Sequence, residues 1–280
     1  MHVGLEAQKL SSDIRDATDF IRSRTDLVPE VALILGSGLG PLANEIEDAV
    51  VIPYAEIPGI TPSTAPGHAG ELYVGTLQGR TVVAMKGRIH PYDGQPAARL
   101  AFPVRVMHEL GASSLVVSNA CGGLVPEWSA GDLMLQTDFI NYTWDNPLTG
   151  PNLDERGPRF PVMYDCYDPA YQELARAAAR KQGIDLREGV YLAISGPSYS
   201  TRAEGRMYQA WGAHAIGMST VHEVIVARHE GMRVLGLSCV TDMALPDGDG
   251  HATGDEVIEV AERSGERFRR LVRALLPDLR

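Results

Sequence analysis

The architecture of the chain first shows in Val31-Ala-Leu-Ile-Leu35, an apolar run that passes directly into Gly36-Ser-Gly-Leu-Gly40 and then Pro41. Short continuous apolar runs are typical of strands that are buried on both faces of a sheet. Glycine allows the backbone to turn, and proline suits the first turn of a helix. The stretch therefore predicts a buried strand, a tight loop and a helix start.

The same order of elements recurs along the chain. Five more apolar runs each end in a glycine-rich or polar loop, namely Thr81–Met85, Ser114–Ser118, Val190–Ile194, Ala215–Met218 and Val234–Val240. This pattern indicates an α/β fold with a mostly parallel sheet. Ligands of such sheets bind beyond the carboxyl ends of the strands, so we expect these loops to converge.

Helices are predicted between several of these runs. The candidate stretches are about Ala97–Leu110, Val221–His229 and Asp255–Leu276, and an opening helix with Ser11 or Ser12 as its cap. In contrast, Asn141–Asp168 is long, irregular and contains four prolines. Loops of that length in compact domains are usually functional or lie at interfaces.

Composition and charge exclude several classes of protein. The 280 residues carry a formal net charge of −11, and 44% are hydrophobic and 22% charged, unlike a disordered chain or a coiled coil. Nucleic acids and anionic membranes bind basic surfaces, so the acidic balance argues against both as partners. No apolar run reaches the roughly 20 residues that a membrane span needs.

The cellular compartment follows from the N-terminus and the cysteines. The first residues are polar and lack the apolar region of a signal peptide. Cys121, Cys166 and Cys239 are an odd, widely spaced set that suits neither a disulfide scaffold nor a zinc ribbon. We therefore expect a cytoplasmic protein with buried thiols.

Three glycine-flanked loops suggest an anion site. Gly36–Gly40 could hold an oxyanion with backbone N–H groups, although taken alone it could equally be a tight turn. His68 and Arg88 lie in the loops Gly67-His-Ala-Gly70 and Gly87-Arg-Ile-His90. Neutral donors and one planar cation suit a phosphate, whereas a surface ion pair and a turn residue are the simpler alternatives.

Asp242 is the candidate for a second kind of contact. It follows a seven-residue apolar strand, where a carboxylate is costly unless it has a partner. A role as a helix cap is weakened by Pro246 and the glycine-rich residues after it, so a ligand contact is favoured. Asp and His clusters at metal spacing are absent from the sequence, so no metal is implied.

Taken together, the motifs resemble one family. They are Leu35-Gly-Ser-Gly-Leu-Gly40, Gly67-His-Ala-Gly70, Gly87-Arg-Ile-His-Pro-Tyr-Asp-Gly94, Asn119-Ala-Cys-Gly-Gly123, Gly131-Asp-Leu-Met134, Gly196-Pro-Ser-Tyr199 and Gly217-Met-Ser-Thr-Val-His-Glu-Val224. The chain resembles the trimeric purine nucleoside phosphorylases, whose family includes methylthioadenosine phosphorylase. The resemblance implies one α/β domain over residues 1–280, with a mixed, twisted central sheet flanked by helices and residues 1–30 as a helical extension.

The resemblance also implies the reaction and its partners. A purine nucleoside and phosphate would give a free base and a pentose 1-phosphate, in nucleoside metabolism and purine salvage. The resemblance implies no metal or organic cofactor, and inorganic phosphate is a co-substrate rather than a cofactor. It also implies a homotrimer.

Site residues follow from the resemblance position by position. Phosphate would be held by Ser37, His68, Arg88, the backbone of Ala120 and Ser219. The nucleoside would lie against His90, Tyr92, Met218 and Tyr199, with Phe160 reaching in from a neighbouring subunit and Tyr191 before the base loop. His90 and Asp242 are the catalytic candidates. As the glycosidic bond breaks, phosphate stabilises the cation-like sugar and then attacks it, while Asp242 donates to N7 of the leaving purine.

Two departures concern base recognition. Most members that use 6-oxopurines carry glutamate where this chain has Ser200 and asparagine where it has Asp242. Tyr199–Glu204 and Thr241-Asp242 resemble the methylthioadenosine branch instead. A neutral Asp242 could donate to N7 and accept from the 6-amino group of adenine, whereas an ionised one would repel a 6-oxo group. A protonated Asp242 could still serve a 6-oxopurine, so the sequence predicts a lean toward 6-aminopurines and leaves inosine or guanosine preference open.

A third departure lies at the 5′ end of the sugar. The histidine expected there is replaced by Gly254, and His251 is a possible substitute. Glycine leaves room for a 5′-methylthio group, so methylthioadenosine phosphorylase stays open. A nucleoside hydrolase would leave the phosphate residues without a role, and a non-catalytic nucleoside binder is the remaining alternative.

Overall fold

In this computed structural model the described residues are 2–61, 70–248 and 252–280. The helices are α1 (His2–Arg22), α2 (Ala97–Leu100), α3 (Phe102–Leu110), α4 (Pro169–Gln182), α5 (Arg202–Ala210), α6 (Val221–His229) and α7 (Gly254–Leu275). The strands are β1 (Val31–Leu35), β2 (Glu47–Pro53), β3 (Glu71–Leu77), β4 (Arg80–Lys86), β5 (Ser114–Gly123), β6 (Leu133–Tyr142), β7 (Leu186–Ile194), β8 (Ala215–Gly217) and β9 (Arg233–Met243).

The strands form one mixed sheet in the order β2-β3-β4-β1-β5-β8-β7-β6-β9. Strand β9 also pairs with β5, so the second half of the sheet closes on itself as a ring of five strands. Among the described strands five pairings are parallel and four antiparallel, so the predicted majority of parallel pairings is slight. Strand β3 runs antiparallel to both of its neighbours, and β8 and β9 run antiparallel to β5 and β6, respectively. The mixed sheet that the family resemblance implied is confirmed.

Strand β1 is buried on both faces, as its apolar run predicted. Ala32 and Ile34 belong to the apolar cluster that includes α1 and α3, whereas Val31, Leu33 and Leu35 belong to the cluster that includes α4 and α7. Alternate residues of a strand point to opposite faces, so a fully apolar strand belongs between two layers of helices.

Two predicted helices differ from those observed. Ser11 and Ser12 do not cap α1, because the helix begins at His2 and both serines lie inside it. The stretch Ala97–Leu110 is broken at Ala101, because Pro103 lies in the first turn of α3 and has no N–H to donate to the turn before it.

The described part of the chain agrees with the predicted thiol state. Cys121, Cys166 and Cys239 are all buried and unpaired. Among the described helices, none has the length and apolar character that crossing a membrane would require.

Candidate active site

A cavity of about 170 Å³ lies at the carboxyl ends of the central strands. Its lining comes from the loops after β1, β4 and β7 and from the last residues of β5, β8 and β9. The predicted convergence of these segments is confirmed. Residues 119–123, which we expected to form a loop, are instead the end of β5, and Asp242 lies within β9.

Most of the predicted site residues share this cavity. Those that line it are Ser37, Arg88, His90, Tyr92, Ala120, Tyr199, Ser200, Met218, Ser219 and Asp242. His68 and His251 lie outside the described residues. Tyr191 and Phe160 are described but do not line the cavity.

Arg88 is held at the inner end of the cavity by a dense set of acceptors. Its Nη1 donates to Thr220 Oγ1 and to Glu223 Oε2, each at 2.9 Å, and its Nη2 donates to the Ser118 carbonyl. The Arg88 and Glu223 side chains are only 2% and 5% exposed. Burial raises the pKa of Glu223, and the Arg88 charge opposes that rise without cancelling it. The guanidinium is therefore fixed in place before any anion arrives.

The loop that carries Ser37 approaches strand β5 very closely. The Gly36 N–H donates to Ser118 Oγ at 3.1 Å, and that hydroxyl donates to the Ile34 carbonyl at 2.8 Å. A Cβ on Gly36 would lie 2.6 Å from the Ser118 carbonyl oxygen, which is closer than a side chain allows. Only glycine therefore lets Ser37 reach the cavity along this path.

Thr220 links three walls of this end of the site. Besides Arg88, its hydroxyl accepts from Asn119 Nδ2 at 2.7 Å and lies 3.0 Å from Ser219 Oγ. Its φ of 77° is unusual for a β-branched residue and is found mostly where surrounding contacts impose it. Neither Thr220 nor Glu223 was predicted as a site residue, although both lie in the Gly217–Val224 motif.

His90 and Tyr92 form one side of the cavity. Their rings are stacked with centroids 4.7 Å apart, and the backbone N–H of His90 donates to Asp93 Oδ2 at 2.8 Å. Burial, together with the charge of Asp93, raises the pKa of Tyr92 to about 12. The phenol therefore remains a neutral hydrogen-bond donor at physiological pH.

Asp242, Ser200 and Tyr199 form the other end of the cavity. Asp242 is 8% exposed and pairs with Gly122, next to an irregularity in the β5–β9 register. A Cβ on Gly122 would lie 3.4 Å from Asp242 Oδ1, so the absence of a side chain keeps the space beside the carboxyl group open. Tyr199 is about half exposed at the cavity mouth, and burial raises its pKa.

Tyr191 lies behind the cavity rather than in it. It is fully buried, and its hydroxyl accepts from the Ser219 N–H at 3.4 Å. Its contact with the cavity runs through Ser219 and Gly217, which both line it. Phe160 is 84% exposed on the outer surface of this single chain. Within the described ranges, no group of three or more His, Cys, Asp or Glu side chains is placed to hold a metal ion.

Comparisons with known proteins agree with this geometry. The model of the phosphorylase superfamily matches residues 30–277. Purine nucleoside phosphorylase 1 of Geobacillus stearothermophilus is 48% identical over 266 residues, covering 95% of this chain and 97% of that protein. The purine nucleoside phosphorylase of Bos taurus is 43% identical over 274 residues, covering 95% of each. A crystal structure of the Schistosoma mansoni purine nucleoside phosphorylase with adenosine has a TM-score of 0.91 and 36% identity, covering 96% of this chain and 98% of that one.

The chain has the fold of the nucleoside phosphorylases, with a buried arginine, a serine-bearing glycine loop and exposed aromatic side chains at the carboxyl edge of its mixed sheet. The chain belongs to the phosphorylase superfamily, and within it to the purine nucleoside phosphorylase family. It is a pentosyltransferase.

Proposed function

We propose that this phosphorylase cleaves the N-glycosidic bond of purine nucleosides with phosphate and prefers 6-aminopurine bases. The observation that carries the base preference is the pair formed by Asp242 and Ser200 at one end of the cavity. Glutamate and asparagine would be the family's residues for a 6-oxopurine. A carboxyl group can donate to N7 and accept from the 6-amino group, which is the pattern that adenine presents.

The proposed mechanism uses the two ends of the cavity differently. Arg88, Ser37, Ser219 and the Ala120 backbone bind phosphate below the sugar, with His68 as a further donor. Phosphate then stabilises the positive charge that develops on the sugar and forms the new bond to C1′. The electron pair of the glycosidic bond goes to the purine, and Asp242 donates a proton at N7 as a general acid.

Contacts around the sugar complete the proposal. His90, Tyr92 and Met218 line the middle of the cavity, and we assign them to the pentose. His90 would orient a sugar hydroxyl, and His251 would take the 5′ end. Tyr199 and Ser200 would lie against the base.

Assembly and cellular role are part of the same proposal. Trp144, Phe160, Val162 and Tyr164 are large apolar side chains that are 68–89% exposed, and all four lie in the segment 141–168. Exposed apolar side chains that cluster in one segment mark an interaction surface. We propose a cytoplasmic homotrimer, acting in purine salvage, in which Phe160 completes the nucleoside site of a neighbour.

The experiment is a base-release assay on inosine, guanosine, adenosine and methylthioadenosine, with and without phosphate. Cleavage of adenosine or methylthioadenosine above inosine, and only with phosphate, is the expected result. A higher kcat/KM for inosine or guanosine would contradict the base preference and leave the reaction class intact. Cleavage without phosphate would indicate a hydrolase, and binding without base release would indicate a non-catalytic nucleoside binder.

A further inference from the structure

A second cavity, of about 250 Å³, adjoins the base end of the active site. Ser200 and Ala244 line both cavities and therefore stand between them. The rest of its lining is Leu124, Thr201, Arg202, Gly205, Leu245 and Pro246. The space thus begins where a purine base would end.

The segment 246–248, on the outer side of this second cavity, is bonded to helix α5. Arg202 Nη1 donates to the carbonyls of Pro246 and Gly248 at 2.6 and 2.9 Å. Arg206 forms an ion pair of 2.9 Å with Asp247 one turn further along the helix. Because the Arg206–Asp247 pair is exposed and contributes little, the two hydrogen bonds of Arg202 are the main contacts that hold the segment 246–248 against α5.

The lining has a polar part, formed by Ser200, Thr201 and Arg202, and an apolar part that is suited to a hydrocarbon group. Leu124, Ala244, Leu245 and Pro246 contribute carbon atoms, and Gly205 contributes no side chain. Ser200 Oγ is buried and makes no hydrogen bond of normal geometry within the described residues. Burial raises the pKa of Tyr208, and the nearby Ser200 hydroxyl opposes part of that rise. Ser200 and Ala244, both with small side chains, are the residues that the two cavities share.

We propose that the second cavity accepts an alkyl substituent on N6 of a 6-aminopurine nucleoside; this rests on the proposed base preference. A monoalkylated 6-amino group keeps one hydrogen, which can still donate to Asp242 on the N7 side. The alkyl group then lies on the N1 side, toward Ser200 and Ala244. The substrate class is therefore wider than adenosine and includes N6-monoalkyladenosines, whereas an N6,N6-dialkyl group has no hydrogen left for Asp242.

Gly205 offers a way to fill the cavity without touching the active site. A Cβ at this position would lie 3.4 Å from Pro246 Cβ, an ordinary contact, and the residue has helical backbone geometry. Gly205→Leu adds a side chain that grows into the space, and Gly205→Ala adds only a methyl group. Ala203→Leu is the matched control, because Ala203 is exposed on the same helix.

The test compares kcat/KM for adenosine, N6-methyladenosine, N6-propyladenosine and N6,N6-dimethyladenosine. The wild type should cleave both monoalkyl substrates, and the dimethyl compound at least about tenfold less well than the monomethyl one. Gly205→Leu should lower the ratio of kcat/KM for N6-propyladenosine to kcat/KM for adenosine by about tenfold. Gly205→Ala should lower the same ratio by less, and Ala203→Leu should leave it unchanged.

Two results would separate failure of this inference from failure of the proposed function. Cleavage of adenosine without measurable cleavage of either monoalkyl substrate overturns the inference and leaves the base preference standing. Inosine cleaved with adenosine untouched overturns the base preference and the inference with it. If Gly205→Leu does not fold, two other results together overturn the role of this cavity. One is an unchanged N6-propyladenosine-to-adenosine ratio of kcat/KM in Gly205→Ala, and the other is equal cleavage of N6,N6-dimethyladenosine and N6-methyladenosine by the wild type.

Discussion

The buried pair of Arg88 and Glu223 illustrates how single residues set the properties of this site. Taking two charges out of water is costly, and each charge is tolerable only because the other is 2.9 Å away. A phosphate ion would add a second negative charge beside Arg88. Under the proposed function the arginine would therefore serve two anions, Glu223 and the phosphate of the reaction.

Glu223→Gln should make the stability of the protein depend strongly on phosphate. Without phosphate, Arg88 would be a buried cation lacking its counter-ion, and we expect the free energy of unfolding to fall by about 3 kcal/mol. Phosphate should then raise the melting temperature more than it does in the wild type, because it restores the counter-ion. Asp168→Asn is the control, since it breaks a partly exposed ion pair with Arg233, outside the cavity. Equal phosphate-induced shifts in Glu223→Gln and wild type would contradict this account.

Asp242→Asn tests how the base is read. An amide can donate to a 6-oxo group and accept from N7–H, whereas it cannot transfer a proton to N7 of adenine. We expect the inosine-to-adenosine ratio of kcat/KM to rise by at least about tenfold, the size of effect expected when a buried polar contact is mismatched. The measurement is steady-state phosphorolysis of both nucleosides. An unchanged ratio would remove Asp242 from base recognition.

At the scale of elements, strand β8 is a short strand whose position depends on a contact with β7. Gly217, at its end, lies against the Tyr191 hydroxyl so closely that a Cβ would overlap the oxygen. The two strands are parallel neighbours, with Ala193 paired to Gly217. The same tyrosine accepts from the Ser219 N–H, so it sets the start of the turn that leads to α6.

Gly217→Ala should therefore be destabilising, and Tyr191→Phe should relieve part of the effect. We expect a loss of about 2 kcal/mol for the alanine variant, typical of an overpacked core. In the Tyr191→Phe background the added methyl meets no hydroxyl oxygen, so its cost should be smaller. Denaturant unfolding of the two single variants and the double variant measures this coupling, and strictly additive losses would show that the two residues do not interact.

At the scale of the whole molecule, Glu230 ties the segment 141–168 to the helices. Its buried carboxylate pairs with Arg105 of α3 and, at 2.6 Å, with Arg156 of that segment. His108 Nδ1 lies 3.0 Å away, and His229 Nδ1 lies 4.0 Å away. Burial raises the pKa of Glu230, but His108, Arg105 and Arg156 lower it by more, so the net shift is downward.

The sign of that shift gives a prediction for acid stability. A carboxyl group whose folded pKa lies below its unfolded value stabilises the protein above about pH 4.3 and loses that contribution as the pH falls. Glu230→Gln should be less stable at pH 7, and its stability should fall less between about pH 5 and pH 3 than that of the wild type. Glu127→Gln, at an exposed position, is the control. Parallel stability curves for Glu230→Gln and wild type would contradict the role of Glu230.

Phe160→Ala tests assembly of the site across subunits. The side chain is 84% exposed in one chain, so its loss should leave the stability of the subunit within about 0.5 kcal/mol. If Phe160 completes a neighbour's site, the KM for nucleoside should rise by about tenfold while the KM for phosphate stays the same. Val51→Ala, at an exposed apolar position of strand β2 and outside this segment, is the control, and sedimentation measures the oligomer. An unchanged nucleoside KM in a stable trimer would refute the shared site.

How far the sequence could predict the fold depended on the kind of element. Strands such as β1 and β9 could be predicted because burial on both faces requires a continuous run of apolar residues, which is visible in the sequence. The edge strand β2 is mostly exposed, and polar and apolar residues are mixed along it, so its sequence shows no comparable apolar run. Helix α4 was missed although Asp168, which accepts from two N–H groups of its first turn, and Pro169 are local start signals.

The α/β class and, through the glycine-flanked motifs, most of the residues that line the cavity could be derived from the amino-acid sequence alone. Those features are local, since a glycine next to a functional side chain records how closely the backbone must approach. Three features are seen only in the folded chain: β9 closes a ring with β5, Thr220 and Glu223 hold Arg88, and a second cavity lies next to Ser200. Each of these depends on contacts between residues that are far apart in the chain, and packing between distant segments leaves no periodic pattern in either one.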